Sequence, residues 1–101
     1  MRTITATELQ QHLQSKQPFL LDVREPAEYE ICSINNSTLI PMGEITSRIQ
    51  ELDEDDEIVC ICHHGMRRLH VAMYLESQGF TNTVNLSGGI EAWACEVNTD
   101  M

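Results

Sequence analysis

Cys60, Cys62, His63, His64, Arg67 and Arg68 lie within one short stretch of this 101-residue chain. It begins as the unbroken apolar run Ile58-Val59-Cys60-Ile61, which predicts a strand buried on both faces. It ends in a helical pattern through Leu69, Ala72, Met73 and Leu75. Cys62 therefore stands where a strand gives way to a helix. The unpaired N–H groups of a helix's first turn point at such a position, and the helix macrodipole is positive there. Both favour thiolate over thiol, so Cys62 is the candidate nucleophile. Gly65 lets the following turn fold with successive N–H groups inward, which makes an anion-binding nest. Arg67 or Arg68 can offer an oxyanion a planar fork. The expected cradle is thus His63, His64, Gly65, Met66, Arg67 and Arg68, with the histidines acting through their backbone more than their rings.

Other readings of these residues are weaker. Cys60, inside the apolar run, reads as an inert core thiol. A metal site from Cys60, Cys62, His63 and His64 lacks the second ligand pair of structural zinc sites, so no metal and no cofactor is expected. Cys60 and Cys62 are too close along a strand to pair without strain, and four cysteines are too few for a disulfide scaffold. His12 and His70 read as solvent-facing helix residues.

The elements that would carry this turn follow from pattern. Thr3-Ile4 starts a short strand. Thr5 and Glu8 fit a capping box, opening a helix with Leu9 and Leu13 inward that ends near Ser15-Lys16. Phe19 to Val23 is a second buried strand, and Pro26 opens a short helix carrying Ala27, Tyr29 and Glu30. Thr38-Leu39-Ile40 is a third strand, ended by Pro41. Ile45, Ile49 and Leu52 imply a third helix, and the acidic run Asp53–Glu57 a solvated turn, or a docking surface for a basic partner. The helix after Cys62 should run to about Gln78, with Gly79 and Phe80 forming a Schellman stop against Leu75. Thr83 to Leu86 is a fifth strand. Ser87-Gly88-Gly89 is a tight turn before a last helix through Trp93, and the polar tail from Glu96 is expected to be loose. Strands alternating with helices imply an α/β fold with a mostly parallel sheet between helix layers. In such sheets ligands bind beyond the strands' carboxyl ends, where Asp22 to Arg24, Cys62 to Arg68 and Ser87 to Gly89 all fall.

The length suits one domain across residues 1–101. A net charge of −10 argues against nucleic acid and anionic membranes as partners, and makes a cationic pocket a local exception. With no apolar run approaching a membrane span and no signal-peptide pattern, a cytoplasmic setting is expected.

Cys62-x-x-Gly65-x-Arg67 between strand and helix resembles the active-site loop of the rhodanese family. Asp22-Val23-Arg24-Glu25-Pro26-Ala27-Glu28-Tyr29 resembles the family's Asp-Val-Arg…Glu-Tyr motif, and Leu39-Ile40-Pro41 the segment before its third helix. Leu86-Ser87-Gly88-Gly89-Ile90-Glu91-Ala92-Trp93 resembles its closing motif. The resemblance implies a three-layer α/β/α fold with a five-stranded, mostly parallel sheet. It implies a thiosulfate sulfurtransferase that passes sulfur through a Cys62 persulfide to cyanide or a thiol, by ping-pong covalent catalysis. Partners would be a small anionic sulfur donor and an acceptor thiol, with a sulfur-relay protein as a further candidate. Arg67 would hold the donor's sulfonate end, while Asp22 and Arg24 would position the loop, by an ion pair with an arginine. The chain departs from the family pattern at Arg68, where a small hydroxyl residue is usual, and at Cys32-Ser33-Ile34, where Gly-His-Ile is usual.

Cys62-x-x-Gly65-x-x-Arg68 also formally matches the longer loop of tyrosine phosphatases, cell-cycle phosphatases and arsenate reductases. A loop one residue longer admits a tetrahedral phosphate, whereas the shorter one fits a sulfur atom. The Gly-x-Arg spacing favours sulfur, and a non-catalytic interaction module is the third reading.

Overall fold

The computed structural model describes residues 2–62 and 65–96, with the side chains of 65–69, 92 and 94–96 excluded. Five strands form one sheet in the order β1-β5-β4-β2-β3. They are β1 (Arg2–Ile4), β2 (Phe19–Asp22), β3 (Thr38–Leu39), β4 (Ile58–Ile61) and β5 (Thr83–Leu86), and every pairing is parallel. The helices are α1 (Ala6–His12), α2 (Pro26–Ile31), α3 (Ile45–Arg48), α4 (Gly65–Ser77) and α5 (Gly89–Glu96). A parallel sheet needs cover on both faces, and two apolar clusters supply it. Alternation along the strands assigns the faces. Leu21, Ile58 and Cys60 pack with Val71, Ala72, Leu75 and Phe80 from the α4 side. Leu20, Val59, Ile61, Val84 and Leu86 pack with Ala6, Leu9, Ile90 and Trp93 from α1 and α5. Every β4 residue is buried, as its continuous apolar run requires.

Local signals act as their chemistry dictates. Thr5 and Glu8 form a reciprocal capping box, Glu8 N–H donating to Thr5 Oγ1 at 3.1 Å and Thr5 N–H to Glu8 Oε1 at 2.8 Å. Pro26 occupies the first turn of α2. At the end of α4, Phe80 N–H donates to Leu75 C=O and Gly79 N–H to Glu76 C=O, with Gly79 at φ +98. That is the Schellman pattern, and buried Phe80 lies in the same cluster as Leu75. Gly88 and Gly89, at φ 76 and 60, turn the chain from β5 into α5.

Four expectations are corrected. α1 ends at His12, short of Ser15-Lys16, because the chain turns there on Gln14 and Ser15 N–H bonds of the 3₁₀ type. The single helix expected through Ile45, Ile49 and Leu52 is broken into 3₁₀ turns at Met42–Glu44 and Ile49–Glu51 around the four-residue α3. Its β-branched residues disfavour a long regular helix, and burial of Ile45 and Leu52 fixes the path instead. Glu57 is not part of a solvated acidic turn. Its carboxylate accepts from Arg2 Nη2 and pairs with His12 Nε2, tying β1 and α1 to the start of β4. His12 is therefore half-buried and engaged, whereas His70 is exposed as expected. The tail beyond Glu96 lies outside the described residues.

Candidate active site

The carboxyl ends of β2 and β4 lie side by side, with Asp22 in register with Ile61. Val23 N–H donates to Ile61 C=O at 3.0 Å, which extends that pairing one step past the strand. Cys62 follows directly. Its own carbonyl accepts from Ile90 N–H at 3.0 Å, so the start of α5 is tied to the cysteine's backbone. α4 begins at Gly65. Only residues 63 and 64 separate Cys62 from the helix, and both lie outside the described residues, as do the side chains of Met66, Arg67 and Arg68. Arg67 and Arg68 belong to the first turn of α4, at the helix's positive end.

The thiol of the candidate nucleophile is covered by apolar side chains. Cys62 has no exposed surface and belongs to the cluster containing Leu21, Val23, Val71 and Ala72. The parallel strand carries its side chain onto the α4 face, two residues beyond Cys60, which is equally buried. A strand's period of two puts both thiols on that face.

Asp22 and Arg24 form a closed pair. Arg24 Nε donates to Asp22 Oδ1 at 2.9 Å and Nη2 to Oδ2 at 2.8 Å, a bidentate fork, while Arg24 N–H donates to Oδ1 at 3.0 Å. Both residues are buried. Nη2 also donates to Cys32 C=O at 2.7 Å, and Nη1 to Glu28 C=O at 3.4 Å. Burial opposes the charge on Arg24, but the carboxylate of Asp22 outweighs it and raises the guanidinium above its ordinary value. The expected ion pair of Asp22 with an arginine is thus made with Arg24 itself, and it fastens the end of α2 to β2. Those carbonyl partners went unforeseen, since nothing in the local pattern marks Glu28 or Cys32 as acceptors. Main-chain bonds then carry the order onward: Ile40 N–H donates to Asp22 C=O, and Met42 N–H to Val23 C=O.

A family model described as a rhodanese-like domain matches residues 5–96. YtwF of Bacillus subtilis, named as a candidate sulfurtransferase, is 45% identical over 78 residues, 77% of this chain and 75% of its own. A protein of Pseudomonas syringae named thiosulfate sulfurtransferase GlpE is 35% identical over 83 residues, 82% of this chain and 78% of its own. In YrkF of B. subtilis, named as a candidate sulfur carrier protein, the 43% identical match spans only 40% of that longer chain. A crystal structure of a rhodanese-related protein from Thermoplasma volcanium superposes with a TM-score of 0.87 at 35% identity, covering 96% of this chain and 94% of that one.

Proposed function

Because this chain belongs to the rhodanese-like family, a family of sulfurtransferases, we propose that it moves a sulfane sulfur from thiosulfate, or a similar anionic donor, to cyanide or a thiol through a persulfide on Cys62. The thiolate of Cys62 attacks the outer sulfur of thiosulfate. A sulfur–sulfur bond forms at Cys62, the donor's own sulfur–sulfur bond breaks, and sulfite departs with the electron pair. Cyanide or an acceptor thiolate then attacks the outer persulfide sulfur. It leaves as thiocyanate or as the acceptor's persulfide, and the Cys62 thiolate returns. Neither half-reaction moves a proton at carbon, so the site needs a stabilised anion more than an acid or base.

The observation that carries this reading is the interval of two residues between Cys62 and the start of α4. So short a turn suits the outer sulfur of a persulfide, which backbone N–H groups and the helix's positive end would stabilise. In this reading Arg67 is the group that takes the donor's sulfonate, and a longer phosphate loop closed by Arg68 is not favoured. His63, His64, Gly65 and Met66 supply the remaining backbone donors in this reading, and Arg68 a further cation. Asp22 and Arg24 act as positioning residues, holding the β2 end against which Cys62 packs. A sulfur-relay protein fits as an acceptor or donor, consistent with the longer relative named for sulfur carriage.

The test is direct. Intact mass after thiosulfate treatment should rise by one sulfur, about 32 Da, as covalent transfer requires. Cys62→Ser should abolish that adduct and thiocyanate formation while unfolding at the same denaturant concentration. Full activity in the mutant would remove Cys62 from the mechanism. Turnover of an aryl phosphate faster than sulfur transfer would favour the phosphatase reading.

A further inference from the structure

A cavity of about 880 Å³ opens at the amino ends of β2 and β3, the end of the parallel sheet opposite Cys62. Leu13, Phe19, Leu20, Ile34 and Trp93 are among its apolar lining. Around them stand Lys16, the amide side chains of Gln17, Asn35 and Asn36, and the carboxylates of Asp56 and Glu57. The mix suits a small organic ligand, since such sites combine apolar walls with a few polar groups that set orientation.

The charges around the cavity narrow the class. Lys16 is the chain's one lysine. The other cationic side chains that the structure describes are committed: Arg2 to Glu57, Arg24 to Asp22, and Arg48 to Glu44 and Glu51. Lys16 alone among them makes no ion pair with a described residue. Glu57 is occupied by Arg2 and His12, so Asp56 is the carboxylate left to oppose it. An uncommitted ammonium beside amide donors and an apolar wall, on a chain of charge −10, selects an anion with an apolar body. Asp56 disfavours compact polyanions, which would gain no apolar contact and would meet its charge.

We propose that this cavity is a second binding site, for small aryl- or alkyl-carboxylates, with the carboxylate on Lys16 and the hydrocarbon against Trp93 and Ile34. It is separate from the sulfur-transfer site, and a ligand there should leave Cys62 free to react.

The probe is 4-phenylbutyrate. Trp93, the chain's one tryptophan, reports occupancy by its fluorescence, and a rise in Tm reports it independently. The expected result is a saturable change with a low-millimolar midpoint, as befits a ligand of this size. Lys16→Gln should raise that midpoint about tenfold, the loss expected for one charge-assisted contact. The neutral 4-phenylbutyramide should bind as weakly to the parent protein as the carboxylate binds to Lys16→Gln. Thiosulfate should still add its sulfur to Cys62 while the probe saturates. The assignment is overturned by any of four results: no saturation and no Tm rise, equal midpoints for parent and Lys16→Gln, equal competition by inorganic sulfate, or loss of sulfur loading when the probe is bound.

Discussion

Cys62 and Cys32 differ in the way that decides which thiol a reagent meets first. Cys62 is buried under the α4 face, while Cys32 is partly exposed at the end of α2. A bulky maleimide should therefore label Cys32 well before Cys62, whereas thiosulfate should load Cys62 and not Cys32. Peptide mapping after short exposure to each reagent checks both halves. Prior labelling of Cys62 by the maleimide would show that burial does not guard it. Arg24 poses a different problem at the same scale. Removing it leaves the Asp22 carboxylate buried with no cation beside it among the described residues, so Arg24→Ala should cost about 3–5 kcal/mol in urea unfolding, far above a surface ion pair. The motif containing these two residues was readable. Their actual work was not, because Arg24's partners at Glu28 and Cys32 are main-chain carbonyls on which side-chain pattern is silent.

Among the elements, those written by local chemistry follow their sequence closely. The capping box at Thr5 and Glu8, Pro26 at the head of α2 and the Gly79-Phe80 stop all depend on contacts a few residues apart. The break-up of the segment around α3 does not, since it answers to packing of Ile45 and Leu52 against distant strands. The stop at Gly79 can be tested. Its φ of +98 strains any residue with a Cβ, while the nearest obstacle, Glu54 Oε2 at 3.3 Å, is the movable end of a side chain. Gly79→Ala should thus cost about 1 kcal/mol from backbone strain alone, read as a shift in urea midpoint with unchanged slope. A neutral result would mean the turn relaxes out of its left-handed geometry.

Across the whole molecule, Glu57 joins segments that pattern reading kept apart, with His12 45 residues away and Arg2 55. Burial alone would push its carboxyl up, but His12 and Arg2 outweigh that and hold it below the usual range. A group depressed in the folded state adds stability above its unfolded value of about 4.3, and that contribution fades as pH falls through the folded value. Glu57→Gln should therefore destabilise by about 1 kcal/mol at pH 7, and the difference from the parent should shrink steadily as pH falls below about 4.3. Urea midpoints measured across that range check the sign; a gap that widens in acid would contradict it. The overall α/β plan was legible because β2 and β4 are largely apolar runs and α1, α2 and α4 carry their own cap or stop. The covering of Cys62 and the engagement of His12 were not, since both arise only when distant segments meet.

The sheet order has a consequence for birth on the ribosome. β1 lies at the edge against β5, with Ile4 opposite Leu86. Of this sheet's five strands, the one made earliest therefore waits for the one made latest before it has a neighbour to pair with. Nascent chains stalled before residue 83 should remain sensitive to protease at their amino terminus, and protection should appear abruptly once β5 has emerged.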